Sequence, residues 1–332
     1  MGKGNKTSNE LKEALKGEPL IIVGISGIEG EEICSLLSNV KKKYTSVHLD
    51  YDSPYWEEVP EDIKALVNDA LNSGKEVVLF CIKGNVPEKA LSIDTYHYDD
   101  ENQPYSPLEQ LDMALGKEVT PYHRLISANG RGFIVAMREE AAKILKGFGA
   151  KSRYNKIMDE AEVTEFEMED FRQKFYDSGE AGMEIIPEPY RAGIGLVIKN
   201  IRKRDRAARG ITIEQERQAE RAVLKSYLIG SVTVVDMHDA SPASVLDRLV
   251  ETEKYGLLML SDTRRSCFVG PWKKVKKFAE HFKDGKTGGE PPVRGYWKGK
   301  YSKPIIIDFV EGLEKVKEKK EPEKKSDFFM RL

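Results

Sequence analysis

The chain has 332 residues, 40% of them hydrophobic and 33% charged, with a net charge of −2 and 3 cysteines. That length fits about two domains, and that balance belongs to globular proteins rather than to low-complexity or collagen-like ones. No apolar run approaches the roughly 18–20 residues a membrane helix needs, and residues 1–17 lack the apolar stretch of a secretory signal, so no membrane association is expected and a cytoplasmic location is.

Cys34, Cys81 and Cys267 lie far apart in apolar settings, without zinc-type spacing, and read as buried thiols of a reducing compartment. Charge is uneven: acids crowd 50–112, whereas bases crowd 199–225 and 264–303.

In chain order, 20–23 is a short apolar run ending in glycines, as a buried strand does. A helix over 31–40 follows, with Ile33, Leu36, Leu37 and Val40 on one face. Strands are predicted at 47–49, 77–82 and 90–93, with a helix over 63–71 closed by Gly74. This alternation predicts an α/β fold: a mostly parallel sheet with helices on both faces. Ser106-Pro107-Leu108-Glu109 combines a capping box with proline at the first helical position. A further helix is predicted near 137–146. Residues 151–226 read as helical, broken near Pro187 and Pro189, with a second capping box at Thr212–Gln215. Beyond them come a strand over 231–237, a helix from Ser241-Pro242 to 254, paired strands at 257–260 and 266–269, an amphipathic helix over 272–282 and a last strand at 305–307. The expected organisation is an α/β domain over 18–150, a helical insertion over 151–228, a smaller mixed α/β domain over 229–312 and a charged tail with an apolar tip over 313–332.

Four constellations bear on chemistry. Gly24-Ile25-Ser26-Gly27-Ile28-Glu29-Gly30 joins strand to helix but is neither a dinucleotide fingerprint nor a Walker loop. Glu29, Glu31 and Glu32 would repel an anion there while favouring the helix dipole. His48-Leu49-Asp50-Tyr51-Asp52 puts an imidazole and two carboxylates on one side of an extended segment, a donor set suited to manganese or magnesium; the competing reading is a solvated acidic loop. Asp94, with His97 and Asp99 or Asp100, leaves the next strand, where open α/β sheets place ligand groups. Ala128-Asn129-Gly130-Arg131-Gly132 is either an arginine loop that touches phosphate or a simple turn.

The order of these features resembles the DHH phosphoesterase superfamily, which includes RecJ-type exonucleases and oligonucleotide phosphodiesterases. The family's H-x-D-x-D-G motif, between first strand and helix, falls on residues 25–30, which keep one acid, Glu29, and the glycine. Its central-strand aspartate falls at Cys81-Ile82-Lys83-Gly84. Its Asp-His-His motif falls at Asp94, with Thr95 in place of the first histidine and His97 offset by one. Ser106–Glu109 resembles its Ser-x-x-Glu helix start, and a later aspartate falls near Asn129 or Gly130. Lys286-Thr287-Gly288-Gly289-Glu290, ahead of Arg294, resembles the substrate loop of the family's second, DHHA1-type domain without its histidine.

The resemblance implies a metal-dependent phosphoesterase fold with a degenerate metal site. Two readings follow. In the first, the protein binds single-stranded nucleic acid or nucleotide phosphates in the cleft between domains, anchored by Arg131, Arg264, Arg265, Gly288, Gly289 and Arg294, with catalysis weakened or lost. In the second, it is an active manganese- or magnesium-dependent phosphodiesterase. Its rearranged site then has Asp50, Asp52, Asp94 and His97 as catalytic residues and Glu29 and His48 as further metal ligands.

Two basic segments also bear on partners. The run 199–209 reads either as a phosphate-neutralising surface or as a solvated helical face. Around Gly288 and Gly289, cations interleave with Tyr296, Trp297 and Tyr301; this is either a stacking platform for single strands or a hairpin packed on its own core. The terminal Phe328-Phe329 pair reads as a docking peptide for a protein partner or as a patch on its own domain.

Overall fold

A computed structural model describes residues 3–49, 54–94, 106–178, 182–249, 256–261, 265–290 and 294–318. Asp50, Asp52, His97, Arg264 and the Phe328-Phe329 tip lie outside the described residues. The chain forms two compact units, Met1–Ile211 and Thr212–Leu332.

The first unit is built on four parallel strands: β1 (Leu20–Ile25), β2 (Thr45–His48), β3 (Val77–Phe80) and β4 (Leu91–Ile93), in the order β2-β1-β3-β4. The central strands β1 and β3 are apolar without interruption because both of their faces are covered. Side chains alternate between two cores. Ile21, Val23, Ile25, Val78 and Phe80 face one, whereas Ile22, Val77 and Leu79 face the other.

Helix α3 (Glu61–Asn72) closes the second face with Val67 and Ala70. The first face carries α1 (Lys3–Lys16), α2 (Ile28–Asn39), α4 (Pro107–Ala114), α5 (Pro121–Ile144), α6 (Ala150–Glu160), α7 (Glu165–Ser178) and α8 (Arg191–Ala208). The helical segment therefore shares the sheet's core: Ile157, Phe171, Phe175, Ile194 and Ile201 are buried in it. The capping box at α4 forms as predicted, with Ser106 N donating to Glu109 at 2.9 Å and Glu109 N donating to Ser106 Oγ at 3.3 Å.

One expectation fails here. Residues 128–131 are not a loop but part of α5, which breaks just afterwards: Gly132 and Phe133 leave helical geometry, with Phe133 at φ 52°. Thr120 and Pro121 supply a helix start that the glycines obscured: Thr120 Oγ1 accepts from His123 N at 3.1 Å.

The second unit begins with α9 (Ile213–Leu224), whose predicted Thr212–Gln215 capping box is present. Its sheet runs β5-β6-β7-β8-β10-β9, from β5 (Tyr227–Ile229), β6 (Val232–Asp236), β7 (Leu257–Leu260), β8 (Arg265–Pro271), β9 (Lys286–Glu290) and β10 (Arg294–Lys300). Only β6 and β7 pair in parallel. Helices α10 (Pro242–Arg248), α11 (Trp272–His281) and α12 (Lys303–Glu318) complete it.

The strand predicted at 305–307 is instead the first turn of α12. Ile306 and Val310 are buried four residues apart while Ile305 is exposed, a helical period that the isoleucine run disguised. The glycine segment 286–290 is likewise an edge strand rather than a loop, with Gly288 opposite Tyr296 and Gly289 opposite Gly295. Trp297 is wholly buried between Phe278 and Phe282, so it packs the core and offers no stacking surface.

A buried knot ties α12 to the sheet. Glu314 accepts from Ser231 N at 2.9 Å and Oγ at 2.7 Å, and pairs with Lys274 at 3.0 Å. Burial opposes its charge, but these donors prevail and hold its pKa at about 2. A folded-state pKa below the unfolded value contributes stability at neutral pH that is lost as pH falls from about 4.5 through about 2. Glu314→Gln should therefore destabilise the second unit by about 2–3 kcal/mol at pH 7. The difference from the parent should vanish in strong acid, as read by tryptophan fluorescence during urea unfolding at each pH.

Candidate functional site at the strand ends

The carboxyl ends of a parallel sheet gather loops and helix starts, so polar side chains collect there. Helix α2 begins directly after β1 and presents Glu29 in its first turn. Glu29 accepts from Leu108 N at 3.2 Å and hydrogen-bonds to the Ser106 side chain, so the α4 cap reaches across to it. Ser106 Oγ in turn lies 2.6 Å from Ser127 Oγ.

Desolvation outweighs these hydrogen bonds and the Arg131 charge, and with help from Glu109 it lifts the Glu29 pKa to about 7. A carboxyl poised there is half-protonated at neutral pH. Beside it, Cys81 closes β3 at φ 57°, and burial followed by the charges of Glu29 and Asp94 pushes its thiol well above the ordinary range. Burial and the raised pKa disfavour the thiolate that a nucleophile needs. Glu29 and Asp94 thus both bear electrostatically on Cys81 at the end of β3.

Arg131 lies at the α5 break, 3.9 Å from Glu109 and 4.0 Å from Glu140. It sits among carboxylates rather than on an open phosphate-binding loop. His48 is exposed at the end of β2, within electrostatic reach of Glu31. Among the described residues no three His, Cys, Asp or Glu side chains group so as to hold a metal ion. The described part of the expected ligand set, Glu29, His48 and Asp94, does not by itself fit a divalent cation, and the Glu29 carboxyl is already bonded within the protein.

In the second unit, Arg294 opens β10 opposite Pro271 and Glu290, next to the Gly288-Gly289 pair. Arg265 lies at the other end of the same ladder, opposite Lys300. The seven-residue pairing separates the two arginines by roughly 20 Å, at about 3.4 Å per residue. By backbone pairing, Arg294 stands at the Gly288-Gly289 end of the ladder and Arg265 at the far end.

Two groups of residues escaped the sequence reading. The first is a buried ion network behind the α2 turn. Arg202 donates to Asn129 Oδ1 at 2.6 Å and to Asp205 Oδ2 at 2.8 Å, and Arg209 reaches Asp205 at 2.6 Å. The other oxygen of Asp205 accepts from Ile28 N at 3.1 Å, so it caps α2, which has no side-chain cap of its own. Gly27 permits this approach: a Cβ there would lie 2.7 Å from Asp205 Oδ1.

The run 199–209 is therefore neither a wholly solvated face nor a free phosphate surface. Arg202 and Asp205 are buried, and Arg204 binds Glu32 and Tyr122 at 2.9 and 2.8 Å. The readable signal was the stripe Ile194, Ile198, Ile201, Asp205, in which a charged residue continues a buried helical face.

The second group is His123, whose Nδ1 lies 2.6 Å from buried Asp112, with Glu32 4.0 Å from Nε2. Burial works against its charge, but the Asp112 hydrogen bond and charge, aided by Glu32, raise its pKa above the usual histidine value.

No helix among the described residues is long and apolar enough to cross a membrane. No family model and no curated protein matches the chain. Among solved structures, it is similar to manganese-bound RecJ from Thermus thermophilus, at 14% identity and a TM-score of 0.44, over 97% of this chain and 55% of that one. The chain thus spans about half the length of that RecJ. It is also similar to the DHH domain of a member of the S1p family of ribosomal proteins, at 14% identity and a TM-score of 0.43, over 94% of this chain and 90% of that one. A third similar structure is exonuclease RecJ bound to manganese, at 13% identity and a TM-score of 0.41, over 96% and 95% of the two chains.

Proposed function

We propose that this chain is a DHH-like protein that binds single-stranded nucleic acid or nucleotide phosphates, with metal-dependent hydrolysis weakened or lost. The state of Glu29 carries this reading. It stands where the resemblance puts a metal-binding acid, yet it accepts hydrogen bonds from Leu108 N and Ser106 and is half-neutral at pH 7. A divalent cation prefers ionised, accessible carboxylates. Binding Glu29 would require breaking those bonds and removing the proton. Phosphate binding needs only cations and donors, which Arg264, Arg265 and Arg294 would supply in the second unit.

The test combines calorimetric titration of manganese into the protein with incubation of a labelled dinucleotide and a ten-nucleotide single strand. The expected result is strand binding that weakens steeply with salt, little manganese uptake and little or no cleavage. Robust manganese-dependent cleavage would overturn it in favour of the second reading, an active phosphodiesterase using His48, Asp50, Asp52, Asp94 and His97. What supports that alternative is that Asp94 directly follows β4 at the same sheet edge at which α2 presents Glu29. Under it, Asp50→Ala and Asp94→Ala should each abolish turnover.

A further inference from the structure

After its break at Gly132 and Phe133, α5 runs on to Ile144 and ends in the turn Gly147-Phe148-Gly149 before α6. The Phe148 ring is fully exposed. Both flanking glycines are left-handed, at φ 77° and 79°, a geometry that few other residues adopt. Arg153 pins the turn from below, its Nε donating to Ile144 O at 2.5 Å and its Nη2 to Lys146 O at 3.0 Å. The aromatic ring is thus held outward by a braced turn.

The surroundings are cationic. Lys146, Lys151 and Lys156 are exposed and, among the described residues, make no ion pair. Lys151, Asn155 and Lys156 share one outward face of α6, with Asp159 one turn further along it. An exposed aromatic ring followed along the chain by lysines and an amide on one helix face suits a ligand that alternates flat apolar groups with negative charges. A single-stranded nucleic acid does this, through base stacking and phosphate contacts.

We propose that the Phe148 turn and the lysine-bearing face of α6 form a second contact site for single-stranded nucleic acid, with a base stacked on Phe148 and the backbone following Lys151 and Lys156. This extends the binding reading above to a separate surface of the first unit. Residues 134–144 separate it from the Arg131 end of α5 by roughly 16 Å, at 1.5 Å per residue. A dinucleotide engaged at the strand ends would not span that distance, whereas a ten-nucleotide strand would.

The experiment measures affinity of the full chain for both oligonucleotides by fluorescence anisotropy, for the parent and for Phe148→Ala, Phe148→Trp and the pair Lys151→Glu with Lys156→Glu. Phe148→Ala should weaken ten-nucleotide binding about tenfold, Phe148→Trp should retain it, and dinucleotide binding should not change. The lysine pair should also flatten the salt dependence of ten-nucleotide binding. Because Phe148 is exposed, melting temperatures should match the parent. Ten-nucleotide affinity unchanged in Phe148→Ala would overturn the proposal, as would a parent that binds no strand or that binds only anionic vesicles or acidic peptides through these residues. Phe148-dependent binding of the ten-nucleotide strand by a chain that binds no dinucleotide would leave this site standing while removing the strand-end reading.

Discussion

Asp205→Ala should destabilise the first unit by about 3–5 kcal/mol, the cost of breaking a buried ion pair from one side. Asp205 joins Arg202, Arg209 and the Ile28 amide at one point, with almost no access to water. Its removal takes the carboxylate away from buried Arg202 and Arg209 and leaves the start of α2 uncapped. For a unit of this size the melting temperature should drop by about 10 °C. Asp205→Asn keeps an acceptor for Ile28 but loses the charge, and should fall between the parent and alanine. Burial opposes the Asp205 charge, yet Arg209 and Arg202 prevail and hold its pKa below the ordinary aspartate value. Its contribution is therefore present above about pH 4 and lost as pH falls through that depressed value. A urea series from pH 7 to pH 3 that showed no convergence of parent and variant would contradict this account.

Glu29→Gln should act in the opposite direction. Its pKa is raised to about 7, so the folded state holds the proton more tightly than the unfolded chain does. Stability then declines as pH rises from about 4.5 through about 7, by about 2–3 kcal/mol in all. Glutamine cannot ionise, so the variant should match the parent near pH 4.5 and exceed it at pH 8. The same substitution separates the two functional readings. If Glu29 serves in a metal site, manganese should stabilise the parent at pH 8 and not the variant; if it does not, manganese should leave both unchanged.

The first sheet was legible because covered parallel strands need uninterrupted apolar runs. Residues 20–25 and 77–80 leave no other solution. The Ser106 and Thr212 boxes were legible because capping is local. What escaped depends on context. Ile305, Ile306 and Ile307 favour a strand by propensity, yet burial every fourth residue makes them helix. Gly288 and Gly289 suggest a loop, yet an edge strand accepts glycine where Tyr296 crosses it. At the site, Glu29 could be found because it opens the helix that follows the first strand. Asp205 could not, because its target amide belongs to Ile28, 177 residues away. His123 was hidden in the same way: only the packing of α5 on α4 brings it to Asp112.

That long reach from Asp205 to Ile28 has a consequence for synthesis and for fragment work. The sheet and α2 emerge first, but the carboxylate that finishes α2 and the Ile194 and Ile201 side chains that seal its core arrive only after the chain has grown past residue 205. A nascent or truncated chain ending near residue 150 keeps the strands yet lacks their lid, and exposes apolar surface in the interim. Closure of this unit is therefore a late, non-local event, and non-local closure is slow.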